Sequence, residues 1–175
     1  MTTLKKPVII LGAILLVLAV YMLFKNVIFK SGHSLINNSS SNITLKIYYI
    51  DEDGRVVNEE KELLSGATLL DDIKLAVEEA AAKPSKDKIT NGVTQGVKVR
   101  KVYVDDNKCA YIDFEESLIT RHIGGTQGEL NTLECIKQTV ASNFKDIEYI
   151  KLLVNGKEIQ TIAGHINTGG KIRVK

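Results

Sequence analysis

An uninterrupted apolar segment near the N-terminus constrains this 175-residue chain more than any other feature. Its 18 residues, 7–24, carry no charged side chain. As a helix they would extend about 27 Å, close to the roughly 30 Å hydrocarbon core of a bilayer. Lysines flank the segment on both sides, at Lys5, Lys6, Lys25 and Lys30. Residues 1–30 are therefore predicted to be a single transmembrane anchor with basic flanks.

A cleaved signal peptide is the alternative interpretation of this segment. Signal peptides have an apolar region of about 7–15 residues that ends in a small-x-small cleavage site. Here the run is longer and ends in YMLFK, residues 21–25, which lacks such a site. An uncleaved anchor is therefore favoured. Nearly all of the chain follows the anchor, and a short basic N-terminal tail usually stays in the cytoplasm. The rest of the chain is therefore expected to face the extracytoplasmic space.

A polar segment and a charge asymmetry follow the anchor. Residues 31–42 (SGHSLINNSSSN) have no apolar periodicity and are predicted to be a flexible Ser/Asn-rich tether. The net charge of +2 comes from the four lysines before position 43, because all 21 acidic residues lie after position 50. The predicted domain, residues 43–175, is therefore slightly acidic. It lacks the basic stripe that nucleic acid requires, so nucleic acid is excluded as a partner.

The pattern of residues 43–175 predicts a mixed α+β domain. Helices are predicted at 68–83 and 129–144, because apolar residues recur there at spacings of three and four. Alternating or apolar runs predict strands at 43–50, 55–64 (an edge strand), 97–104, 109–114, 149–154 and 157–162, with a short last strand at 171–175. The order β-β-α-β-β-α-β-β is typical of two helices packed on one face of a mixed or antiparallel sheet.

Local expectations accompany this fold. Thr68 is predicted to cap the first helix, and Thr126 with Glu129 to form a capping box at the second. Asn155-Gly156 is predicted to form a type I′ turn. The buried stripes are expected at Leu69, Ile73, Val77 and Ala80 on the first helix, and at Leu130, Leu133, Ile136, Val140 and Phe144 on the second. Residues 84–96 and 115–128 are predicted to be loops.

No cofactor or metal site is predicted. The histidines, His33, His122 and His165, include no pair at the i, i+4 spacing of a helical metal site. Residues 124–128 (GGTQG) lack the ending of a phosphate-binding loop and are interpreted as a helix entry. Cys109 and Cys135 could form a disulfide in an oxidising compartment, but they are expected on different surfaces of the domain, which favours free thiols.

Acidic residues at the end of one predicted strand are the candidates for catalysis. Paired carboxylates can perform acid–base chemistry, and alternation along a strand places Asp113 and Glu115 on one side and Glu116 on the other. Ser117 and His122 could be combined with Asp113 as a triad, but no nucleophile-elbow sequence surrounds Ser117. No catalytic residue is predicted, and the chain is not expected to be an enzyme. A hydrolase that uses Asp113 or Glu115 as its acid stays open as an alternative.

Several segments in this order resemble the GerMN domain of the sporulation and spore germination protein family. Residues 152–159 (LLVNGKEI) resemble its hairpin, 110–114 (AYIDF) one of its strands, and 48–54 (YYIDEDG) its opening strand and turn. Residues 124–129 (GGTQGE) resemble its glycine-rich helix entry. The resemblance covers residues 43–162. Glu115 departs from it, because the family often has serine there, and many members are lipoproteins or carry two copies.

The resemblance implies an extracytoplasmic, membrane-tethered domain of the bacterial cell envelope without established catalysis. We expect a single-pass protein of the inner (cytoplasmic) membrane with a structural or interaction role. Its expected partners are the membrane, through the N-terminal helix, and other envelope proteins or a second copy of itself. An alternative is a module that binds peptidoglycan or another envelope ligand through loops 84–96 and 115–128. The hydrolase above is the other alternative.

Overall fold

The computed structural model describes residues 41–175. The predicted anchor, residues 1–30, lies outside the described residues, as does all of the predicted tether except its last two residues. Within the described part of the chain, no helix combines the length and apolar character needed to cross a bilayer.

A three-stranded sheet forms the first half of the domain. β1 (Asn42–Asp51) pairs antiparallel with β2 (Val56–Leu64), and the end of β1 pairs with the two-residue β3 (Ile89–Thr90). β2 lies at the edge of this sheet, as predicted. β3 lies within residues 84–96, for which the sequence predicts a loop. This strand escapes the sequence analysis because two residues are too few to produce a periodic pattern. Alternation along β1 buries the expected side chains, Leu45, Ile47 and Tyr49.

A five-stranded sheet forms the second half. Its strands are β4 (Val99–Val104), β5 (Cys109–Phe114), β6 (Tyr149–Val154) and β7 (Lys157–Glu158) in that order, with β8 (Ile172–Arg173) also paired to β6. β5 and β6 are parallel and the other pairs are antiparallel. Asn155 and Gly156 join β6 to β7 with φ angles of 51° and 76°. Both angles are positive, which confirms the predicted type I′ turn.

Three helices connect the strands of the described residues: α1 (Leu69–Ala80), α2 (Ser117–Thr120) and α3 (Thr126–Asn143). Thr68 caps α1 as predicted, because its Oγ1 accepts a hydrogen bond from the N–H of Asp71 at 3.2 Å. α3 begins three residues before the predicted start, and α2 lies in the segment that was expected to be a loop.

The α+β class is confirmed, but the arrangement of two helices on one face of a single sheet is wrong. α1 packs against β1 of the first sheet and β4 of the second, and α3 packs against β1. No strand pairs one sheet with the other among residues 41–175. The physical reason is the path from α1 to β4. That segment contributes β3 to the first sheet before the chain enters the second.

The predicted apolar stripes are wrong at one position on each helix. Leu69 is 47% exposed and Leu130 is 40% exposed. Leu69 is the first residue of α1, at the rim of the packed face. In the first turn of α3 the buried position is occupied by Glu129, and the neighbouring Leu130 lies outside the buried face. The remaining predicted stripe residues are buried: Ile73, Val77, Ala80, Leu133, Ile136, Val140 and Phe144.

Polar side chains of α3 complete one edge of β1. Asn143 accepts a hydrogen bond from the N–H of Lys46 at 2.9 Å and donates one to the carbonyl of Lys46 at 2.8 Å. Thr139 Oγ1 accepts from the N–H of Tyr48 at 3.1 Å. Backbone groups at a strand edge need such partners when no further strand is present. The helix therefore takes the place of a neighbouring strand along this part of β1.

Both cysteines are free, as predicted, but both are fully buried, so their expected position at the surface is wrong. Cys109 lies on the face of β5 that carries Tyr111, and the ammonium of Lys171 lies over the Tyr111 ring at 5.6 Å. Cys135 lies against the backbone of Gly92. Burial raises the pKa of the Cys135 thiol to about 12. The side of α3 that carries Cys135 is therefore covered by the loop that contains Gly92, a segment that lacks sequence periodicity.

Gly92 provides a test of this packing. A Cβ at position 92 would overlap Cys135 Sγ and lie 3.0 Å from the carbonyl oxygen of Asn131. We expect Gly92→Ala to lower the free energy of unfolding by about 1–3 kcal/mol, because overpacking displaces a close-packed core. Urea unfolding followed by circular dichroism measures the change. Gly170→Ala is the control, since a Cβ there meets no atom within 4 Å. Equal stability of the two variants would contradict the described approach of this loop to α3.

Candidate functional site

A buried carboxylate holds the irregular segment between β7 and β8. The Glu129 side chain, in the first turn of α3, is fully buried. Its Oε1 accepts a hydrogen bond from the N–H of His165 at 2.7 Å, and its Oε2 accepts from Ile166 at 3.1 Å and Ile162 at 3.3 Å. The imidazole Nδ1 of His165 also lies 3.0 Å from Oε1. Four donors from one loop therefore converge on one side chain of α3.

These donors keep the buried carboxyl ionised. Burial raises the pKa of Glu129, but the backbone N–H groups of His165 and Ile166, together with the His165 imidazole, outweigh it and lower the pKa to about 2. A buried charge without partners would cost several kcal/mol, so this geometry depends on every donor being in place. The arrangement makes Glu129 an acceptor for the loop and leaves its oxygens occupied.

The capping box predicted at α3 is wrong. The cap position is Gly125, with a φ of 78°, and no side chain caps the helix. Thr126 is instead the first residue of the helix, and Glu129 points into the domain. The spacing explains this outcome. Glu129 precedes Leu133, Ile136 and Val140 by four, seven and eleven residues, which places it on the same face. An acidic residue on an apolar stripe was the signal from which its burial could have been predicted.

His122 belongs to a second hydrogen-bond chain beside this one. Its Nδ1 accepts from the N–H of Gly124 at 3.0 Å, and its Nε2 lies 3.1 Å from Thr132 Oγ1. Thr132 in turn donates to the carbonyl of Gly92 at 2.7 Å. A proton on Nε2 satisfies all three contacts, and burial lowers the pKa of the imidazole, which favours this neutral form. His122 therefore connects the entry of α3 to the loop before β4.

Asp113, the main candidate for an acid catalyst, fastens a turn. Its Oδ1 accepts from the N–H of Gly156 at 2.7 Å, and its Oδ2 accepts from Arg100 Nη1 at 3.1 Å. The carboxylate is almost fully buried. Glu115 and Glu116 are exposed. Both oxygens of Asp113 are therefore occupied: one holds the β6–β7 turn against β5, and the other binds Arg100 of β4.

The triad considered from the sequence is not assembled. Ser117 Oγ is buried and has no hydrogen-bond partner. His122 and Asp113 have the separate partners described above, and no hydrogen bond joins any two of the three. Across residues 41–175 no group of three metal-binding side chains converges either. His33 lies outside the described residues.

An open polar pocket of about 630 Å³ lies beside the loop that follows α1. Glu59 of β2 holds this loop by accepting from the N–H groups of Ser85 at 3.0 Å and Lys86 at 2.7 Å. Asn91 holds it from the other side by donating to the carbonyls of Ala80 and Ala82 at 3.1 and 2.6 Å. The polar lining combines lysines with hydroxyl and amide groups and one carboxylate: Lys83, Lys86, Lys88, Ser85, Thr90, Asn91, Gln95 and Asp87.

Glu129 gives a prediction with a defined pH dependence. Its pKa is lowered from 4.5 to about 2, so its contribution to stability is complete above pH 4.5 and is lost as the pH falls toward 2. Glu129→Gln should lower the free energy of unfolding by about 2–3 kcal/mol at pH 7, because it removes charge-assisted hydrogen bonds. Between pH 4.5 and 2, the free energy of unfolding of the variant should also fall less than that of the native chain. Urea unfolding across this pH range measures both effects.

Glu134→Gln is the matched control for that prediction. Glu134 lies in the same helix but pairs only with Lys137 at 2.5 Å near the surface. A pair of this kind contributes about 0.5 kcal/mol or less. If the two glutamine variants show the same stability and the same pH profile, Glu129 does not hold the C-terminal segment in the way described.

The fold of this chain is similar to that of known protein structures. Among solved structures, tandem GerMN domains of the sporulation protein GerM from Bacillus subtilis match with a TM-score of 0.63 and 19% identity, covering 76% of this chain and 46% of that one. The chain thus spans about half of that structure. The first GerMN domain of the same protein matches with a TM-score of 0.59 and 18% identity, covering 72% of this chain and 92% of that one. At identities this low, the two structural matches establish a shared fold alone.

No curated protein sequence matches the chain. A family match is nevertheless clear, because the family Germane, described as sporulation and spore germination, covers residues 46–160. That range runs from β1 to just past β7 and includes Glu59, Asp113 and Glu129. The resemblance expected from the sequence is confirmed: the chain belongs to the Germane family of sporulation and spore germination proteins.

Proposed function

We propose that this chain is a membrane-tethered, extracytoplasmic domain of the bacterial cell envelope that acts by binding other proteins. The observation that carries the proposal is that the buried acidic side chains of the domain hold loops and turns in place. The buried carboxylates of residues 41–175, Glu59, Asp113 and Glu129, each accept hydrogen bonds from backbone N–H groups of a turn or loop. These acids therefore fix the shape of the surface that these turns and loops form.

The family match supports a role in the envelope. The solved relatives are domains of a sporulation protein, and the family is described by sporulation and spore germination. The apolar segment at residues 7–24 supplies the proposed tether to the membrane. A domain held at the membrane by one helix meets its partners at high local concentration, so modest contact surfaces are sufficient for assembly.

The location can be tested with a single introduced thiol. Cys109 and Cys135 are fully buried, so the native chain should react slowly with maleimides. Asp106 is exposed in the β4–β5 turn, and Asp106→Cys should be labelled by a membrane-impermeant maleimide in intact spheroplasts. The unsubstituted chain is the control for background labelling. Labelling that appears only after lysis would place the domain in the cytoplasm and overturn the proposal.

The pocket beside α1 favours a second candidate, the binding of a cell-wall glycan. Hydroxyl, amide and ammonium groups lining an open cleft suit the hydroxyl and carboxylate groups of peptidoglycan. Co-sedimentation with purified peptidoglycan should then retain the chain, and Lys86→Ala should reduce the retained fraction several-fold. Lys157→Ala, an exposed lysine on β7, is the control. Equal retention of the two variants, or none of the native chain, would remove this candidate.

A further inference from the structure

The outer edge of β2 presents unpaired backbone groups. The N–H of Ser65 donates to Ser41 and the N–H of Asp51 donates to Arg55, at the two ends of the β1–β2 ladder. In an antiparallel pair the hydrogen-bonded positions alternate, so the odd-numbered residues of β2 face β1. The even-numbered residues direct their N–H and C=O groups away from the sheet. We call these residues the β2 edge: Val56, Asn58, Glu60, Glu62 and Leu64.

Of the other long strands among residues 41–175, β1 has its second edge covered and β4 has its outer edge covered in part. Asn143 and Thr139 of α3 bind the backbone of β1 on the side away from β2. On β4, the N–H of Val99 donates to the Glu78 carboxylate at 3.0 Å and Val102 is buried, whereas Val104 at the end of this six-residue strand is 36% exposed. Within residues 41–175, the β2 edge has no hydrogen-bond partner for its outward backbone groups. An exposed edge nine residues long is a template for pairing with another chain.

The side chains of the β2 edge define what it would accept. Glu60 and Glu62 lie at its centre, where Glu60 is 3.9 Å from Lys46 and Glu62 accepts from Asn42 at 2.8 Å. Apolar side chains stand at its two ends, with Val56 37% exposed and Leu64 65% exposed. Directly opposed side chains in an antiparallel pair interact, and opposite charges there are favourable. A matching strand therefore has basic residues at its centre and apolar residues at its ends.

A second copy of this chain does not meet these requirements. Antiparallel pairing of two β2 edges over their full length places Glu60 opposite Glu60, with the Glu62 side chains on the adjacent pairs. Like charges directly opposite one another destabilise a strand pair. Charge complementarity therefore favours a different chain over self-pairing.

We propose that the β2 edge binds an extended, basic segment of a partner protein, which adds to the first sheet as a fourth strand. Backbone hydrogen bonds along the edge supply affinity, and Glu60 and Glu62 select for basic side chains. The inference rests on the proposed role as an interaction domain and identifies the surface that performs it. It does not depend on the side of the membrane on which the domain lies.

A peptide of defined design tests this proposal on the purified full chain in detergent. The probe is a nine-residue, threonine-rich peptide with lysines placed opposite Glu60 and Glu62 and valines opposite Val56 and Leu64. Binding is followed by fluorescence anisotropy and by amide shifts in NMR spectra. We expect saturable binding, with the largest shifts along β2. A peptide with glutamates in place of the lysines should bind at least tenfold more weakly.

Asn58 provides the decisive variant. Its N–H points away from β1, so Asn58→Pro removes an edge donor without breaking the β1–β2 ladder. Asn58→Ala retains the N–H and is the matched control. We expect the proline variant to bind the lysine peptide at least tenfold more weakly and the alanine variant to bind within twofold of the native chain. Circular dichroism and the unfolding temperature establish that each variant is folded.

A charge-reversed variant keeps the test valid if the proline prevents folding. Glu60→Lys combined with Glu62→Lys should exchange the preference, binding the glutamate peptide more tightly than the lysine peptide. The proposal is overturned if the lysine peptide fails to bind the native chain, if Asn58→Pro binds as the native chain does, or if the shifts lie elsewhere. A dimer in sedimentation experiments that Asn58→Pro dissociates would instead assign the edge to a second copy. The thiol-labelling experiment above is independent of all these results.

Discussion

Hydrogen bonds from loop backbone to buried carboxylates are the interaction on which the irregular half of this domain depends. A buried segment without helix or sheet must find other partners for its N–H groups. Glu59 supplies them after α1, Asp113 at the β6–β7 turn and Glu129 before β8. An ionised carboxylate accepts several donors at once, and such bonds are stronger than neutral ones. Three side chains on regular elements thereby fix three segments that have no regular structure of their own.

Charge is what makes these contacts selective. For Glu59 and Glu129, burial raises the pKa and the loop donors lower it further than burial raises it. Each docked carboxyl is therefore fully ionised at neutral pH, and its contribution to stability is lost only as the pH falls below the ordinary carboxyl pKa of 4.5. Glu129 extends this coupling beyond the matched family region, because its donors at 162–166 follow the end of the match at residue 160. The C-terminal segment is consequently part of the packed domain.

The sequence predicts those features that repeat within a few residues. Alternation in β1, the Thr68 cap and the Asn155-Gly156 turn are local patterns, and each is present as expected. Contacts between distant segments leave no such pattern. The division into two sheets is set by which strands pair across the domain, and the pairing of β3 with β1 involves only two residues, too few to be periodic. The sequence predicts Glu129 as part of a capping box, which is a local motif, whereas its observed donors lie more than thirty residues away. The candidate site was therefore the least predictable part of the chain.

The outward backbone groups of the strand edges in this domain are satisfied in two different ways. Where α3 borders β1, amide and hydroxyl side chains occupy the strand edge, and on β4 a Glu78 carboxylate occupies the N–H of Val99. The β2 edge is treated differently, since its outward N–H and C=O groups are left to solvent and only charge restricts what approaches. Charge on an edge prevents unselective aggregation yet admits a chain of opposite charge. Among residues 41–175, loops that are fixed from within thus accompany a nine-residue strand edge that remains open, and this combination is the basis for our proposal that a partner strand binds there in a defined register.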